Sequence, residues 1–355
     1  MHRDATPPVT DGHSGRPARP TIRDVARHAG VAVSTVSHAL SGRRHVSAAT
    51  VARIQAAIGE LDYHPNALAQ AMITGRSQTL GLVLPDIVNP FFAHVARGAE
   101  DLARDRDYSL ILCNSDLRPT SELRDIETLL AHQVDGILFI PGSTSAHDAL
   151  DRLVRSGAPY VLMDEALPGP DSPGVFSDNE DGAYQAGCHL IGVGARSLVF
   201  IGGPRELPTV REKEAGFRRA LAEHGIEPVG SRYGRYRTDA GFDMVRGLVE
   251  QGTRFDGLFA ADDLLALGAT QALQEAGLRV PEEVAVCGFD GMPGAELWTP
   301  ALTTVAQRIY ELGATGVRLL ADLIEGRIAA IPRVVVPVEL VVRDSTRGHL
   351  ASAYQ

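Results

Sequence analysis

The sequence predicts a small all-α head followed by an α/β core of two doubly wound parallel-sheet lobes. From Leu80 onward, short runs of Val, Ile and Leu alternate with amphipathic helical segments. Apolar runs joined by helices are typical of parallel sheets that helices cover on both faces. Before Leu80 the apolar spacing is helical instead, and the number of strands after it suits two lobes.

The elements of the core follow from this alternation. The predicted strands are residues 80–84, 108–113, 136–140, 159–163, 197–202, 256–260 and 284–288. The predicted helices are residues 90–105, 120–132, 181–193, 211–224, 239–251, 263–276 and 310–325. The helix at 90–105 has the clearest start, because Asn89 can cap it and Pro90 suits the first helical position.

Composition limits the class of protein. At 355 residues the chain is long enough for two or three domains. No apolar run reaches the ~18 residues that a membrane-spanning helix needs. Cys113, Cys188 and Cys287 lie far apart and no Cys/His cluster has metal-ligand spacing, so we expect a reduced protein without metal or cofactor. Residues 1–20 are polar and lack a signal-peptide core, which predicts a disordered arm and a cytoplasmic protein.

Charge is divided unevenly along the chain. The net charge is −10, yet residues 16–76 hold eight arginines against three acidic side chains, a net of +5 that leaves −15 for the rest. A basic segment joined to an acidic body is the distribution expected of a phosphate-binding module attached to a separate domain.

Residues 21–42 have the pattern of two short helices joined by a tight turn. Val25 lies on the apolar face of the first helix, and Val36 and Leu40 lie on that of the second. Gly30 falls at the turn, where a residue without Cβ can adopt a positive φ. The pattern indicates a helix-turn-helix, although an ordinary helical hairpin would have the same spacing.

The second helix of this pair would carry short polar donors on its outer face. Ser34, Thr35, Ser37 and His38 point away from the apolar positions. Such a surface suits the floor of a DNA major groove, which accepts an α-helix and presents hydrogen-bonding base edges.

A third helix is predicted over 48–61, with Ser47 as its N-cap. Pro65 ends this helical region, and a short Ala-rich segment then runs from Asn66 to Thr74 with Gly75 as its terminator. That segment is too short to be a stable helix alone.

Residues 21–42 and 63–76 together resemble the LacI/GalR (lactose-repressor) family of bacterial transcription regulators, and the resemblance continues to about Arg343. It implies a helix-turn-helix DNA-binding head at 21–62, a hinge helix and linker at 63–78, a periplasmic-binding-protein-like core at 79–343 and a tail at 344–355. One lobe would comprise about 79–177 with 307–334, and the other about 178–306 with 335–343. Three crossings between the lobes would form a hinged cleft.

The resemblance also implies an assembly and a partner. In this family the hinge folds as a helix only in the dimer on DNA, so we expect a homodimer on a pseudo-palindromic operator in double-stranded DNA. No heptad zipper follows Arg343, which argues against a tetramer.

By this resemblance, two groups of residues contact DNA. In the head, Val33, Ser34 and His38 would read bases, Thr35 and Ser37 would contact phosphates, and Thr21 and Arg43 would add contacts to the duplex. Arg43, Arg44 and His45 follow the second helix and could clamp phosphates without specifying sequence, and a solvated charge run explains them equally well. In the hinge, Asn66, Ala69 and Gln70 would approach the groove.

Two positions depart from the family pattern. Met72 stands where the family usually has the leucine that wedges into the minor groove, and methionine is adaptable enough to serve there. It could also be a plain apolar linker residue. Ala32 stands where the family usually has a serine that caps the helix. Alanine has no side-chain acceptor, so the helix loses about 1 kcal/mol of capping energy.

The cleft residues are expected beyond the carboxyl ends of strands, where open α/β sheets bind ligands. By resemblance, the effector would contact Asp164, Arg211, Lys213, Asp262, Asp290 and Gln307, with Phe91 and Trp298 as walls. An arginine beside carboxylates and an aromatic face suits a polyol.

Structural alternatives compete at several of these positions. Asp263 is the better candidate for the N-cap of the following helix, with Asp262 sharing the task, and Asp290 is an alternative turn cap. Phe92 is in phase with core positions. Lys213 stands where the family often has arginine. Leu207 stands where the purine-repressor branch has arginine, which argues against a purine and leaves a sugar as the expected effector.

These observations bear on three functions. A solute-binding protein without a DNA role is opposed by the missing signal peptide and the basic head. An enzyme that uses the cleft carboxylates as acid and base is opposed by the absence of a nucleophile elbow, a Walker loop or a metal motif. The sequence therefore predicts a DNA-binding transcriptional repressor, not an enzyme, whose small-molecule effector either releases or promotes operator binding.

Overall fold

The computed structural model describes residues 20–41, 44–63, 75–142, 146–166 and 172–348. The chain divides into two compact units, residues 1–77 and 78–355. Several predicted DNA contacts lie outside the described residues: Arg43, Asn66, Ala69, Gln70 and Met72. Most of the arm at 1–20 and of the hinge, and the end of the tail, lie outside them too.

The described residues of the first unit form three helices, α1 (Ile22–Ala29), α2 (Val33–Ser41) and α3 (Ala48–Glu60). Their inward faces meet in a small core. It is formed by Val25, Ala26, Ala29, Val36, Ile54 and Ala57. Gly30 ends α1 with a φ of 64°, the left-handed conformation that the predicted turn requires. The two predicted helices and their turn are therefore present.

Ser47 differs from its predicted role. It stands at the N-cap position of α3, but its side chain accepts no hydrogen bond from the helix backbone. Its Oγ instead lies 2.9 Å from the Thr50 hydroxyl. Ser47 therefore occupies the N-cap position of α3 but does not form the side-chain hydrogen bond that stabilises a helix terminus.

The second unit is built on two six-stranded sheets, with helices packed against both. Its strands are β1 (Thr79–Leu84), β2 (Ser109–Asn114), β3 (Gly136–Phe139), β4 (Tyr160–Met163), β5 (Gly174–Ser177), β6 (Leu198–Gly202), β7 (Gly230–Tyr233), β8 (Gly257–Ala260), β9 (Ala285–Asp290), β10 (Thr303–Ala306), β11 (Arg333–Val336) and β12 (Glu339–Val341).

The helices of this unit alternate with the strands. They are α4 (Pro90–Asp105), α5 (Pro119–Ala131), α6 (His147–Ser156), α7 (Asn179–Gly192), α8 (Pro208–Glu223), α9 (Thr238–Glu250), α10 (Asp263–Glu275) and α11 (Ile309–Ile324), with a 3₁₀ turn at Ala295–Leu297. Asn89 caps α4 as expected, because its side chain accepts from the Phe91 amide at 2.9 Å. No helix among the described residues has the length and apolarity that crossing a bilayer requires.

The two sheets define two lobes. The first sheet has the strand order β11-β5-β4-β3-β1-β2, and the second has β12-β10-β9-β8-β6-β7. The pairings are parallel except that of β10 with β12. We call the part of the chain on the first sheet lobe 1 and the part on the second lobe 2. This is the doubly wound, two-lobed fold class that the sequence predicts.

The chain passes between the lobes three times, after β5, after β10 and after β11. The last crossing lies slightly later than the predicted boundary. Val335 and Val336, which the sequence assigned to the second lobe, pair with Phe176 and Ser177 of β5 in lobe 1. Three adjacent crossings confine the carboxyl ends of both sheets to the same side of the unit, which positions a cleft between them.

Candidate functional site

The outward face of α2 is the candidate surface of the first unit. Val33 is 41% exposed, Ser34 is exposed, and Thr35, Ser37 and His38 are half-buried. Val36, on the opposite face of α2, is fully buried in the core of the first unit. The polar side chains predicted to contact DNA therefore lie on the face of α2 away from the core, where their hydroxyl and imidazole groups are accessible to a partner.

Thr21 has a structural role that the sequence assignment overlooked. Its backbone N–H and its Oγ1 both donate to Oδ2 of Asp24, at 2.9 Å and 2.7 Å. These bonds from Thr21 lower the pKa of Asp24. The hydroxyl proton of Thr21 is thus engaged at the start of α1, in the reciprocal arrangement of a capping box.

The second unit has a cleft between the carboxyl ends of its two sheets. It encloses a cavity of about 50 Å³, which is room for a few water molecules. Lobe 1 lines it with Pro85, Asp86, Asn89, Phe91, Phe92, Leu117, Pro141, Gly142, Asp164 and Glu165, and lobe 2 with Leu207, Thr209, Lys213, Tyr236, Asp262 and Asp290, while Gln307 lies on the crossing after β10.

Two adjacent carboxyl groups follow β4. Asp164 has a φ of 63°, a left-handed conformation that a non-glycine residue adopts at a cost. Glu165 crosses to the other lobe, where it accepts hydrogen bonds from the backbone N–H of Thr209 at 3.2 Å and from its Oγ1. Thr209 lies in the first turn of α8, so this pair joins the two lobes directly.

A second group surrounds Asp290, at the end of β9. Gln307 donates its Nε2 to Asp290 Oδ1 at 2.7 Å, and Lys213 Nζ lies 3.7 Å from the same oxygen. Lys213 also donates to the Ala261 carbonyl at 3.1 Å and lies 4.0 Å from the centre of the Phe289 ring. Asp290 is therefore held by an amide and an ammonium, which differs from the turn-capping alternative.

Of the two aspartates after β8, Asp262 lines the cleft as expected and also caps the following helix, whereas Asp263, the favoured cap, does not. Asp262 is the N-cap of α10, because its side chain accepts from the Leu265 amide at 2.9 Å. Asp263 accepts instead from the Met292 amide at 2.7 Å and from the Thr304 hydroxyl at 2.6 Å. Asp263 thus joins the loop after β9 to β10, and it is not among the residues lining the cleft.

Burial dominates the ionisation of the cleft carboxyl groups. It raises the pKa of Asp164 to about 7, opposed by the nearby Lys213. It raises the pKa of Glu165 to about 8, with the charge of Asp164 adding to the effect. The pKa of Asp262 is raised well above its ordinary value by burial and by Asp290. Desolvation thus disfavours the charged form of these carboxyl groups, and a nearby cation favours it.

The aromatic wall differs from the expected one. Phe91 and Phe92 both line the cleft, with their rings edge to face and 5.1 Å between centroids. Phe91, the expected wall, is 4% exposed and belongs to the core of lobe 1. Phe92, expected in the core, is only half-buried. Phe92 therefore presents the larger free face.

Two residues assigned to ligand contact lie away from the cleft. Arg211 is exposed, and its Nε donates to the carbonyl of Arg205 at 3.3 Å. Arg211 and Lys213 are two residues apart on α8, which separates them by about 200° around the helix, so they cannot face the same cleft. Trp298 packs against the core of lobe 2 and is not among the residues lining the cavity.

Several lining residues were not identified from the sequence. Asp86, Pro141 and Glu165 lie two residues after the ends of β1, β3 and β4, so the strand-end rule applied to every strand would have found them. Tyr236 follows β7, a strand that the sequence did not reveal. Its hydroxyl is buried and has no hydrogen-bond partner among the described residues.

Known proteins match both units of the chain. Residues 21–66 match the family described as bacterial regulatory proteins, lacI family, and residues 188–346 match the periplasmic binding protein-like domain. The ribose operon repressor of Halalkalibacterium halodurans is 34% identical over 328 residues, which cover 92% of this chain and 97% of that protein.

Solved structures match in fold as well. The lac repressor dimer bound to operator and the anti-inducer ONPF has a TM-score of 0.84 at 27% identity, covering 92% of this chain and 99% of that one. The complex of the transcriptional regulator CelR with cellobiose has a TM-score of 0.71 at 33% identity, covering 92% of this chain and 100% of that one.

Proposed function

This chain belongs to the lacI family of bacterial regulatory proteins, and we propose that it is a homodimeric repressor that senses a sugar in the cleft between its lobes. It is accordingly a DNA-binding regulator of transcription and not an enzyme. The observation that carries the proposal is the joining, in one chain, of a helix-turn-helix with its polar face free and a two-lobed unit with a polar cleft.

For DNA binding, we propose that α2 enters the major groove. Val33, Ser34 and His38 would face base edges, while Thr35 and Ser37 would contact phosphates, because short hydroxyl groups position the helix without reading sequence. Arg43 would add a phosphate contact. In the hinge, Asn66, Ala69 and Gln70 would approach the minor groove and Met72 would wedge between base pairs.

For the effector, we propose a sugar or related polyol. Sugar hydroxyls donate and accept together, which suits the acceptors of Asp164 and Asp290, the donor of Lys213 and the half-exposed ring of Phe92. Leu207 contributes only apolar surface. The relatives support the class, since one is a ribose operon repressor and another was solved with cellobiose.

Coupling between effector binding and operator binding would come from the arrangement of the two lobes. The hydrogen bonds between Glu165 and Thr209 cross the cleft, so a ligand that binds there changes the balance between lobe arrangements. If those arrangements differ in operator affinity, the effector and the operator must influence each other by the same factor. A regulator that contacts DNA would act in the cytoplasm, at the nucleoid.

The proposal is tested by selecting duplexes from a random library with the full chain. The selected sequence should be a pseudo-palindrome, and fluorescence anisotropy should show it bound at least a thousandfold more tightly than a scrambled duplex. A duplex that carries one half-site should bind weakly, because a dimer needs both. Equal affinity for the selected and the scrambled duplex would reject the proposal.

A further inference from the structure

The cleft has far more negative than positive groups. Five carboxyl side chains line it, while among the described residues Lys213 is the one cationic side chain that does so. The five are Asp86, Asp164, Glu165, Asp262 and Asp290. Arg211, which the sequence placed here as a second cation, faces solvent on the outside of α8. The charge of the cleft therefore differs from what the sequence suggested.

The single ammonium is already engaged by the protein. Lys213 is 5% exposed, and its Nζ donates to the Ala261 carbonyl and lies beside Asp290. The Phe289 ring occupies another side of it. Lys213 thus compensates Asp290 and has little capacity left for a second carboxylate.

The remaining carboxyl groups differ in how well the protein satisfies them. Glu165 accepts two hydrogen bonds from Thr209, and Asp262 accepts one from the start of α10. Asp164 accepts no side-chain hydrogen bond from any described residue and has no ion-pair partner within 4.0 Å among them. Asp164 is half-buried, and a partly desolvated carboxylate without a partner is costly, so Asp164 is the open acceptor for a ligand.

An independent feature also calls for a donor. Gln307 is 8% exposed, lines the cavity, and its Oε1 has no hydrogen-bond partner among the described residues. Its Nε2 is committed to Asp290. Three groups of the cleft are therefore without a hydrogen-bond partner among the described residues. The Asp164 carboxylate and the Gln307 Oε1 only accept, whereas the Tyr236 hydroxyl can donate as well as accept.

A protonated amine satisfies such a site better than a hydroxyl does. An ammonium offers three donors and no acceptor, and its hydrogen bonds to a carboxylate are about twice as strong as neutral ones. A hydroxyl brings one proton, two lone pairs and no charge. We infer that the effector of this protein is a polyhydroxylated ligand that carries a protonated amine, such as an amino sugar, with its ammonium against Asp164. This inference rests on the proposed sugar-sensing function and narrows its ligand class.

Matched triads of sugars test the inference. The probes are glucose, glucosamine and N-acetylglucosamine, with the galactose and mannose counterparts, each titrated into the full chain at pH 7 by calorimetry and thermal shift. The acetylated sugar keeps the skeleton but removes the charge. At least one amino sugar should bind tenfold or more tightly than both its neutral parent and its acetylated form. A neutral sugar that binds as tightly as its amino form, or a panel in which no sugar binds, would overturn the inference.

A charge-removing variant locates the amine. Asp164→Asn should reduce the preference for the amino sugar over its parent to less than threefold, while Glu206→Gln, an exposed carboxylate outside the cleft, should keep it. An unchanged preference in Asp164→Asn would contradict the assignment to Asp164. If that variant fails to fold, the ratio within each triad still decides. Operator binding on the same samples separates the two proposals, because a selected duplex can bind normally while the amine preference is absent.

Discussion

The Oγ1 of Thr209 donates a hydrogen bond to the carboxyl group of Glu165, and this bond joins the two lobes across the cleft. The Thr209 backbone N–H donates to the other oxygen of Glu165 at 3.2 Å. Both residues are buried. The arrangement of the lobes thus depends on a polar contact at the edge of the ligand cavity itself, where a bound molecule would compete with it or complete it.

Removing the Thr209 hydroxyl tests that contact. Thr209→Val leaves a buried carboxyl oxygen without its donor, and we expect the free energy of unfolding of the core to fall by about 1–3 kcal/mol. Thr209→Ser keeps the hydroxyl and serves as the matched control. The measurement is urea denaturation followed by circular dichroism. Equal stability of the valine and serine variants would show that the hydroxyl contributes nothing across the lobes.

The stability of the core should depend on pH through the same region. Burial raises the pKa of Glu165 to about 8 and that of Asp164 to about 7, from 4.5 and 3.8. The folded protein therefore binds more protons than the unfolded chain between about pH 4 and pH 8. It follows that these groups contribute most to the free energy of unfolding below this pH interval, and that this contribution is lost as the pH rises through it.

Glu165→Gln isolates the effect, because glutamine does not titrate. Urea denaturation at pH 5, 6, 7 and 8 should show the free energy of unfolding of the parent protein falling more steeply with pH than that of the variant. Parallel pH profiles for the two proteins would mean that Glu165 is not held protonated in the folded state.

Lys213 should be required for stability as well as for ligand binding. Lys213→Met leaves Asp290 buried without its cation, which typically costs about 3–5 kcal/mol. Adding Asp290→Asn should recover much of that loss, since the uncompensated charge is then gone. Denaturation of the parent, the two single variants and the double variant gives the coupling energy. Independent, additive effects would contradict a direct interaction between the two side chains.

Met72 offers a test of the hinge, although it lies outside the described residues. If its side chain wedges between base pairs of the operator, Met72→Ala should weaken binding to the selected duplex far more than binding to random DNA, because only the operator is kinked there. Met72→Leu, the usual family residue, should retain the preference. The measurement is competition anisotropy with both duplexes. An equal loss of affinity on operator and random DNA would remove the wedge from the account.

The regular part of the fold could be predicted because its signals are local. The run Leu80–Leu84 and the Asn89-Pro90 start of α4 specify β1 and α4 nearly to the residue. The strands that were missed are short or mixed in character, such as β7 (sequence Gly-Ser-Arg-Tyr) and β12. β7 and β12 are edge strands, whereas β5 and β10, which were also missed, lie inside their sheets. The conformation of such short strands is decided by neighbours distant in sequence, which a local pattern does not contain.

The cleft was predictable only as far as topology fixes it. Asp164, Asp262 and Asp290 follow strands whose carboxyl ends must meet, and all three line the cavity. The two-residue spacing of Arg211 and Lys213 shows that both cannot face the cleft, but the sequence does not decide which of them faces inward. The bond between Glu165 and Thr209 depends on the arrangement of two lobes, and no single segment encodes it.

The central claim is that occupancy of the cleft and occupancy of the operator are coupled. The most direct measurement is the Kd of the full chain for its selected operator, with and without a saturating sugar, together with the Kd for that sugar with and without operator. The account predicts that both constants change by the same factor, since coupling is reciprocal. An operator Kd that a saturating ligand leaves unchanged would contradict it.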